Sequence, residues 1–289
     1  ELLSVISNDL QMIKEKCSVP RRTQIIDAVL NDDIEETIQK ESVIITITLQ
    51  GYIKRGALSN VKQQKRGGKG KAGIKTREED SVVQTLSVDT HTSLLFFSTE
   101  GLAFKLKAWK IPEGSASSKG KSLFNILPLK NHQSISSIMP FPDEDVDKKN
   151  MHIIFATSQG KIRKNNLEDF SSINASGKIA MKLDSDDKIV GVKICTDDQD
   201  IMLNTNFGKS IRFESKKLRV FKGRSSKGIK GINLSEQDTI VSLSIIDKDD
   251  IKKNKSKTKD EKSEVKAKEK FILSITENGY GKRTSHYDF

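Results

Sequence analysis

From Val43 onward one phrase returns five times: an apolar strand, a polar turn, a glycine, then an alternating strand with basic residues. Its instances are ITLQGYIKR, FFSTEGLAFKLK, FATSQGKIRK, LNTNFGKSIRF and SITENGYGKR. Their glycines are Gly51, Gly101, Gly160, Gly208 and Gly279, at intervals of 50, 59, 48 and 71 residues. Two intervals hold insertions, one around Pro140-Phe141-Pro142-Asp143-Glu144-Asp145-Val146-Asp147 and one from Asp247 to Lys270, so the underlying unit is nearly constant. Each glycine sits where a two-strand hairpin must turn, after Gln50, Glu100, Gln159, Phe207 or Asn278, and glycine tolerates the positive φ that such turns need. Half a unit later a second element recurs, as GIKTREEDSVVQTLSV, GKSLFNILPLKNHQSISSIM, GKIAMKLDSDDKIVGVKI and GIKGINLSEQDTIVSLSI, each an apolar strand, an acidic turn and another apolar strand. About four strands repeating every roughly 40 to 50 residues is the signature of radial blades. The β-branched alternation excludes a helical solenoid, and the strands of a sandwich would not repeat as a block. The predicted fold is mainly β and propeller-like, with four full units and the opening strands of a fifth.

Residues 1–16 place Leu3, Ile6, Leu10 and Ile13 at steps of three, four and three, the seam of an amphipathic helix that Pro20 stops. Two heptads leave open whether this helix packs on its own domain or ends a longer coiled coil. The stretch Asp247–Lys270 holds only Ile251, Val265 and Ala267 as apolar residues. It cannot bury enough to offset the entropy of ordering it, which predicts a disordered surface insertion dispensable for the fold. A loose basic arm touching DNA is the alternative, against which acidic residues interleave throughout.

Of the 289 residues, 35% are hydrophobic and 31% charged, a globular composition. The longest apolar runs, Val43–Ile47 and Met151–Ala156, are strand length and far short of the roughly 20 residues of a spanning helix. This predicts no membrane association. The sequence begins at Glu1 without a methionine and shows no signal-peptide pattern. Cys17 and Cys195 lie far apart, which predicts no disulfide framework and a cytoplasmic setting. His91, His132, His152 and His286 lack ligand spacing, so no metal site is predicted. The net charge of +11 raises the prior for a polyanionic partner, provided that the cations occupy repeating positions.

They do recur. The sharpest feature is Gln64-Lys65-Arg66-Gly67-Gly68-Lys69-Gly70-Lys71, with Lys62 beside it. Its glycines let backbone approach a polyanion and its cations neutralise phosphates, and neither property reads base sequence. The bland alternative is a glycine-rich loop with incidental lysines. Weaker versions occupy the same place in later units, with Lys119 and Lys121, Lys178, and Arg224 and Lys227. Basic residues also follow each hairpin glycine: Lys54 and Arg55; Lys105 and Lys107; Lys161, Arg163 and Lys164; Lys209 and Arg212; Lys282 and Arg283. Set around an axis, these positions predict a positive belt able to track a curved duplex.

The run QQKRGGKGK closely resembles the GyrA box, hallmark of the C-terminal domain of the bacterial gyrase A family. Lys65 stands where the first arginine is usual, which keeps the charge and loses the guanidinium fork. The resemblance runs the whole length. LLSVISNDLQMIKEKCSVPRRTQI is similar to the end of the coiled-coil arm of the breakage-reunion domain, and NGYGKRT to a fifth-blade hairpin. The resemblance implies residues 1–41 as arm end and connector, and 42–289 as a β-pinwheel of four-stranded blades exchanging strands with their neighbours, the 247–270 insertion within it. It implies six blades, so the end of the fifth and the whole sixth are expected to be lacking here. It also implies duplex DNA as partner, wrapped on a basic outer edge. The holoenzyme that it implies pairs two gyrase A polypeptides with two gyrase B polypeptides and uses ATP and Mg through other domains. No cofactor and no catalytic residue are expected in this stretch, since the family's cleavage tyrosine lies upstream.

Tyr52, Tyr280 and Tyr287 are therefore expected to be packing residues, as are Trp109, Phe104 and Phe124. Glu78, Glu79 and Asp80, like Asp184, Asp186 and Asp187, are expected to be solvated turn acids. Two alternatives stay open. One is the C-terminal domain of a topoisomerase IV of the same A type, whose box would be degenerate or absent. The other, from a different class, is a propeller serving as a protein-interaction platform without a basic belt.

Overall fold

The computed structural model describes residues 2–19, 23, 34–60, 80–115, 118–130, 133–143, 146, 148–223, 226–247 and 270–289. The chain divides into two compact units, Glu1–Ile38 and Gln39–Phe289. In the first, helix α1 (Leu2–Cys17) follows the predicted period, and its Leu3, Ile6, Leu10 and Ile13 are all exposed.

The second unit is built of five hairpins. In chain order the strands are β1 (Ser42–Thr48), β2 (Tyr52–Ala57) and β3 (Val82–Asp89); β4 (Ser93–Ser98), β5 (Leu102–Lys107), β6 (Lys121–Ser122) and β7 (Ile135–Pro140). The third repeat holds β8 (His152–Thr157), β9 (Lys161–Asn166), β10 (Lys178–Ile179) and β11 (Ile189–Cys195). The fourth holds β12 (Gln199–Thr205), β13 (Ser210–Glu214), β14 (Ile229–Lys230) and β15 (Ile240–Asp247), and the fifth β16 (Phe271–Ile275) and β17 (Gly281–Ser285). They form antiparallel sheets in the orders β3-β1-β2-β6, β10-β5-β4-β7, β11-β8-β9-β14, β13-β12-β15 and β16-β17. The outer strand of each four-stranded blade thus comes from the next repeat: Tyr52 pairs with Ser122, Ala103 with Lys178, and Ile162 with Ile229. The blade-like β fold stands, and so does the exchange of strands.

Every hairpin turns the same way. A Thr or Ser three residues before the glycine accepts, through its carbonyl, the glycine N–H: Thr48 from Gly51, Ser98 from Gly101, Thr157 from Gly160, Thr205 from Gly208 and Thr276 from Gly279. Its hydroxyl accepts the next N–H, from Tyr52, Leu102, Lys161, Lys209 or Tyr280. The five glycines have φ between 78° and 88°, the left-handed residue that closes a three-residue hairpin loop and that a Cβ would strain.

The central strands are continuous apolar runs because each lies between two neighbouring sheets. Leu94 and Phe96 of β4 join Ile45 and Ile53 in one cluster, while Leu95 and Phe97 join Ile153 and Phe155 in the next. Ile154 and Ala156 of β8 face Ile201 and Leu203 in a third. Phe97, Phe155 and Phe170 form an aromatic knot with centroid separations of 5.5 to 5.8 Å, edge and tilted contacts that add to simple burial.

The insertion is narrower than the sequence suggests, by one residue at each end. Asp247 closes β15 opposite Gln199, and the Lys270 ammonium pairs with the Asp247 carboxylate, so these two residues belong to the fold. The remainder, 248–269, lies outside the described residues.

Candidate nucleic-acid interface

The second strand of each hairpin carries the basic residues, and its alternation points one side chain toward the segment arriving from the next repeat. That segment crosses the sheet with few strand partners, so its carbonyls need donors. Lys54 Nζ donates to the carbonyls of Ser115 and Ser118, both at 3.0 Å. Lys105 Nζ donates to Ser171 O at 2.6 Å. Arg163 donates to Ser226 O at 2.6 Å and to Gly223 O. Arg212 Nη1 donates to His286 O at 2.5 Å. One cation in each of the first four hairpins thus latches its blade to the next.

Several cations of the predicted belt are turned into the protein. Lys54, Arg163 and Lys164 are only 4%, 1% and 1% exposed, and none can reach a duplex without leaving the carbonyls and carboxylates that justify its burial. Burial pushes the Lys54 ammonium and the Arg163 guanidinium down from their ordinary values. The Lys164 ammonium bonds the Asp197 carboxylate and Ser215 O, holding Asp197 below the usual carboxylate range. Arg212 pairs with Asp200 at 2.9 Å, both 11% exposed. Arg55 donates to Ile111 O at 3.2 Å and stands 3.9 Å from Glu113. Lys107 donates to His91 O and Lys178 to the carbonyls of Asp169 and Ser172. These donors are in use within the protein.

Other cations face outward. Lys121, Lys209, Lys227, Lys282 and Arg283 are exposed, and Lys119 is half-buried with its ammonium 3.6 Å from the Tyr52 ring centroid. Lys209 Nζ meets Ser235 Oγ, and Arg283 lies over Phe271. The box residues Gln64, Lys65, Arg66, Gly67, Gly68, Lys69, Gly70 and Lys71, together with Arg224, lie outside the described residues. The predicted belt omits Lys110, Lys216, Lys217, Arg219 and Lys222, all exposed. They follow the hairpins rather than sitting in them, and a count of cations in the segment after each second strand would have found them.

Two acids expected in solvent, Asp80 and Asp187, are buried instead, as is their counterpart Asp238; the three are 5%, 4% and 5% exposed. Their Oδ1 atoms accept the backbone N–H of Gln50, Gln159 and Phe207 at 3.0 to 3.1 Å, one residue before each turn glycine. In the second blade Gln133 takes that buried place. The carboxylate completes the turn, and its recurrence 27 to 30 residues after the glycine is the signal in the sequence. Two aromatic expectations also change: Phe124 and Tyr280 are 45% and 78% exposed. Phe104 is core, Tyr52 and Trp109 are half-buried under lysines, and half-buried Tyr287 stacks on His286.

Asp184 joins two repeats. Hydrogen bonds from the Lys161 and Lys227 ammonium groups hold its carboxyl down at about 2. A depressed folded pKa favours the folded state above the ordinary carboxylate value, and that contribution is lost as pH falls through the depressed one. The stability gap between the natural chain and Asp184→Asn is therefore expected to be largest above pH about 4 and to close as pH falls toward 2. Thermal melts across that range check this, and a gap constant down to pH 2 would show that the lysines do not hold the carboxylate.

The sequence matches the family described as DNA gyrase C-terminal domain, beta-propeller, over residues 42–89, 92–142, 152–196, 199–247 and 270–289, one stretch for each hairpin. It is 39% identical over 316 residues to the A subunit of DNA gyrase from Rickettsia conorii, covering 100% of this chain and 35% of that protein. The chain thus spans about a third of the length of such relatives. Among solved structures it resembles the C-terminal domain of DNA topoisomerase IV, with TM-score 0.66 and 25% identity over 87% of this chain and 70% of that one. It also resembles the DNA gyrase A C-terminal domain, with TM-score 0.59 and 25% identity over 86% and 72%. Five matched repeats over most of its length show that the chain belongs to the DNA gyrase C-terminal domain family.

Proposed function

We propose that this chain binds duplex DNA through its phosphate backbone, without sequence preference, and wraps it as part of a gyrase-type holoenzyme that introduces negative supercoils. The observation that carries this reading is the set of exposed lysines and arginines on the segments after the hairpins, on blades with no recognition helix among the described residues to enter a major groove. Membership of the family supports it. The holoenzyme would supply a second gyrase A polypeptide, the gyrase B polypeptides, the cleavage tyrosine, ATP and Mg, while this chain supplies the wrap, in the bacterial cytoplasm. Gyrase is preferred to topoisomerase IV because the run Gln64–Gly70 keeps the box nearly whole. The wrap is expected to be positive, so that passage of a segment of the same DNA leaves negative supercoils. The linking-number change trapped on relaxed circles reads that sign.

Affinity for random duplex is expected to fall steeply and log-linearly with salt, at about 0.9 in slope per phosphate contact. Titrations from low to physiological ionic strength measure it. An affinity indifferent to salt, or a footprint confined to one sequence, would sink the reading in favour of a protein-interaction platform.

A further inference from the structure

Gln84, Ser137 and Gly191 hold the same place in β3, β7 and β11, opposite Ile47, Phe97 and Ala156 of their own blades. The side chain at this place sets how near the next blade can come. At Gly191 an added Cβ would stand 3.2 Å from the Leu243 side chain of β15, so no larger residue fits without displacement. At Ser137 the hydroxyl accepts the Val192 N–H of β11 at 3.0 Å. At Gln84 a longer arm is needed, its amide donating to Ile138 O of β7 at 2.9 Å. Glutamine thus spaces the first two blades where serine and glycine let the later ones close.

The later seams are also tied through their turns. The Ile189 N–H donates to Thr99 O at 2.8 Å and the Ile240 N–H to Ser158 O at 3.0 Å, each joining one blade's turn to the last strand of the next. The corresponding pair in the first seam, Ile135 and Leu49, makes no such bond. Leu49 is 69% exposed, an apolar residue where the later turns carry Thr99, Ser158 and Asn206. The segment facing it is longer as well: Gln133 lies 13 positions after Gly120, while Asp187 and Asp238 lie 10 after Gly177 and Gly228. Its short turn Leu123–Asn125 leaves Phe124 45% exposed, whereas Met181, in the same place of the next repeat, is buried. The result is a cleft of about 250 Å³ between the first two blades, walled by Ile47, Leu123, Phe124, Leu129 and Ile135. Gln84, Gln133 and Ser136 supply its polar side. Among the described residues no charged side chain lines it, in a chain of which 31% is charged, so an anion would find no partner there. An apolar cavity of roughly 150 Å³ already admits a benzene ring, so this one has room for a substituted ring. Leu49 lines the cleft, and its carbonyl lacks the N–H that Thr99 and Ser158 receive.

We propose that the cleft between the first and second blades binds an uncharged aromatic amide, its ring against Ile47, Leu123 and Leu129 and its N–H on the Leu49 carbonyl. Apolar walls with a few placed polar groups are what such molecules need. The site stands on the geometry of the seam and is independent of the duplex-binding reading. Acetanilide is the probe, titrated into the whole 289-residue chain and followed by backbone amide shifts. For so few atoms a dissociation constant on the order of 1 mM is expected, with the largest shifts at Leu49, Val83, Ile135 and Ser136. Shifts that are absent, or spread evenly over the blades, would overturn the site. Phenyl acetate keeps the shape and replaces the N–H by oxygen, so it should bind about fivefold more weakly, as expected for one net hydrogen bond. Equal affinities would overturn the contact with Leu49. Binding of para-acetamidobenzoate as tight as that of acetanilide would overturn the uncharged class. Ser136→Phe puts a ring into the cleft and should weaken acetanilide roughly tenfold, and undiminished binding to that variant would overturn the site. Gln84→Ser installs the residue that β7 carries at the same place, so the blade should fold. It should weaken binding as the seam closes, and unchanged affinity would remove Gln84 as the spacer.

Discussion

Replacing Phe155 with alanine is expected to lower the stability of the β unit by about 3 to 5 kcal/mol. Phe155 lies at the middle of β8, is fully buried, and meets Phe97 edge-on at 5.5 Å and Phe170 at 5.8 Å. Those partners come from β4 of the second repeat and from the turn after β9 of the third, so the ring sits on the seam between two blades. The space cannot close by local collapse, because β8 is hydrogen-bonded to β9 on one side and β11 on the other. A cavity left at a seam loses transfer energy and dispersion contacts together. Denaturant unfolding of the whole chain measures this. A loss below about 1 kcal/mol would mean that neighbouring sheets slide to fill the gap, and that the blades are less rigidly stacked than their shared clusters imply.

Replacing Lys65, Arg66 and Lys69 with alanine is expected to abolish negative supercoiling by the holoenzyme while leaving relaxation and DNA cleavage in place. Position and charge both point to this outcome. The run follows the first hairpin, where the charge-rich segments of later repeats also lie, and its glycines let backbone N–H groups approach phosphates. Three lost cations should flatten the salt dependence of binding by about 2.7 in slope, with affinity for all sequences weakening together. The hairpin core, Ile45, Ile47 and Ile53, contains none of the three residues, so the blades should fold normally. Cleavage and ATP use belong to other parts of the holoenzyme in the family reading. Undiminished supercoiling by the reconstituted mutant enzyme would reduce the box to a surface loop.

The hairpins are legible in the sequence because everything that makes them is local: an apolar run, a Thr or Ser, a glycine three residues on, and an alternating return strand. Repetition at near-constant spacing then points to blades, since copies of one unit that cannot bury its own faces must stack on each other. The family resemblance adds strand exchange and a basic edge. The buried acids are harder to see. Asp80 and Asp187 look like ordinary turn carboxylates until the turn they close is in place, 28 to 30 residues earlier in the chain.

By itself the sequence determined the mainly β class, the number of repeats, the left-handed glycine of every hairpin and an excess of positive charge, all of which rest on contacts within a few residues or on composition. Only the tertiary structure decided which cations remain for a partner. Lys54, Lys105, Arg163 and Arg212 look alike to Lys121 and Lys282 along the chain, yet the first four are turned onto carbonyls between 60 and 74 residues away. The two-residue exchange strands that bring the carbonyls of the first three into reach carry no periodicity of their own. A buried donor must be satisfied by whatever acceptor the fold delivers, so the division between latch and contact surface is set by long-range strand exchange and not by the residue or its neighbours.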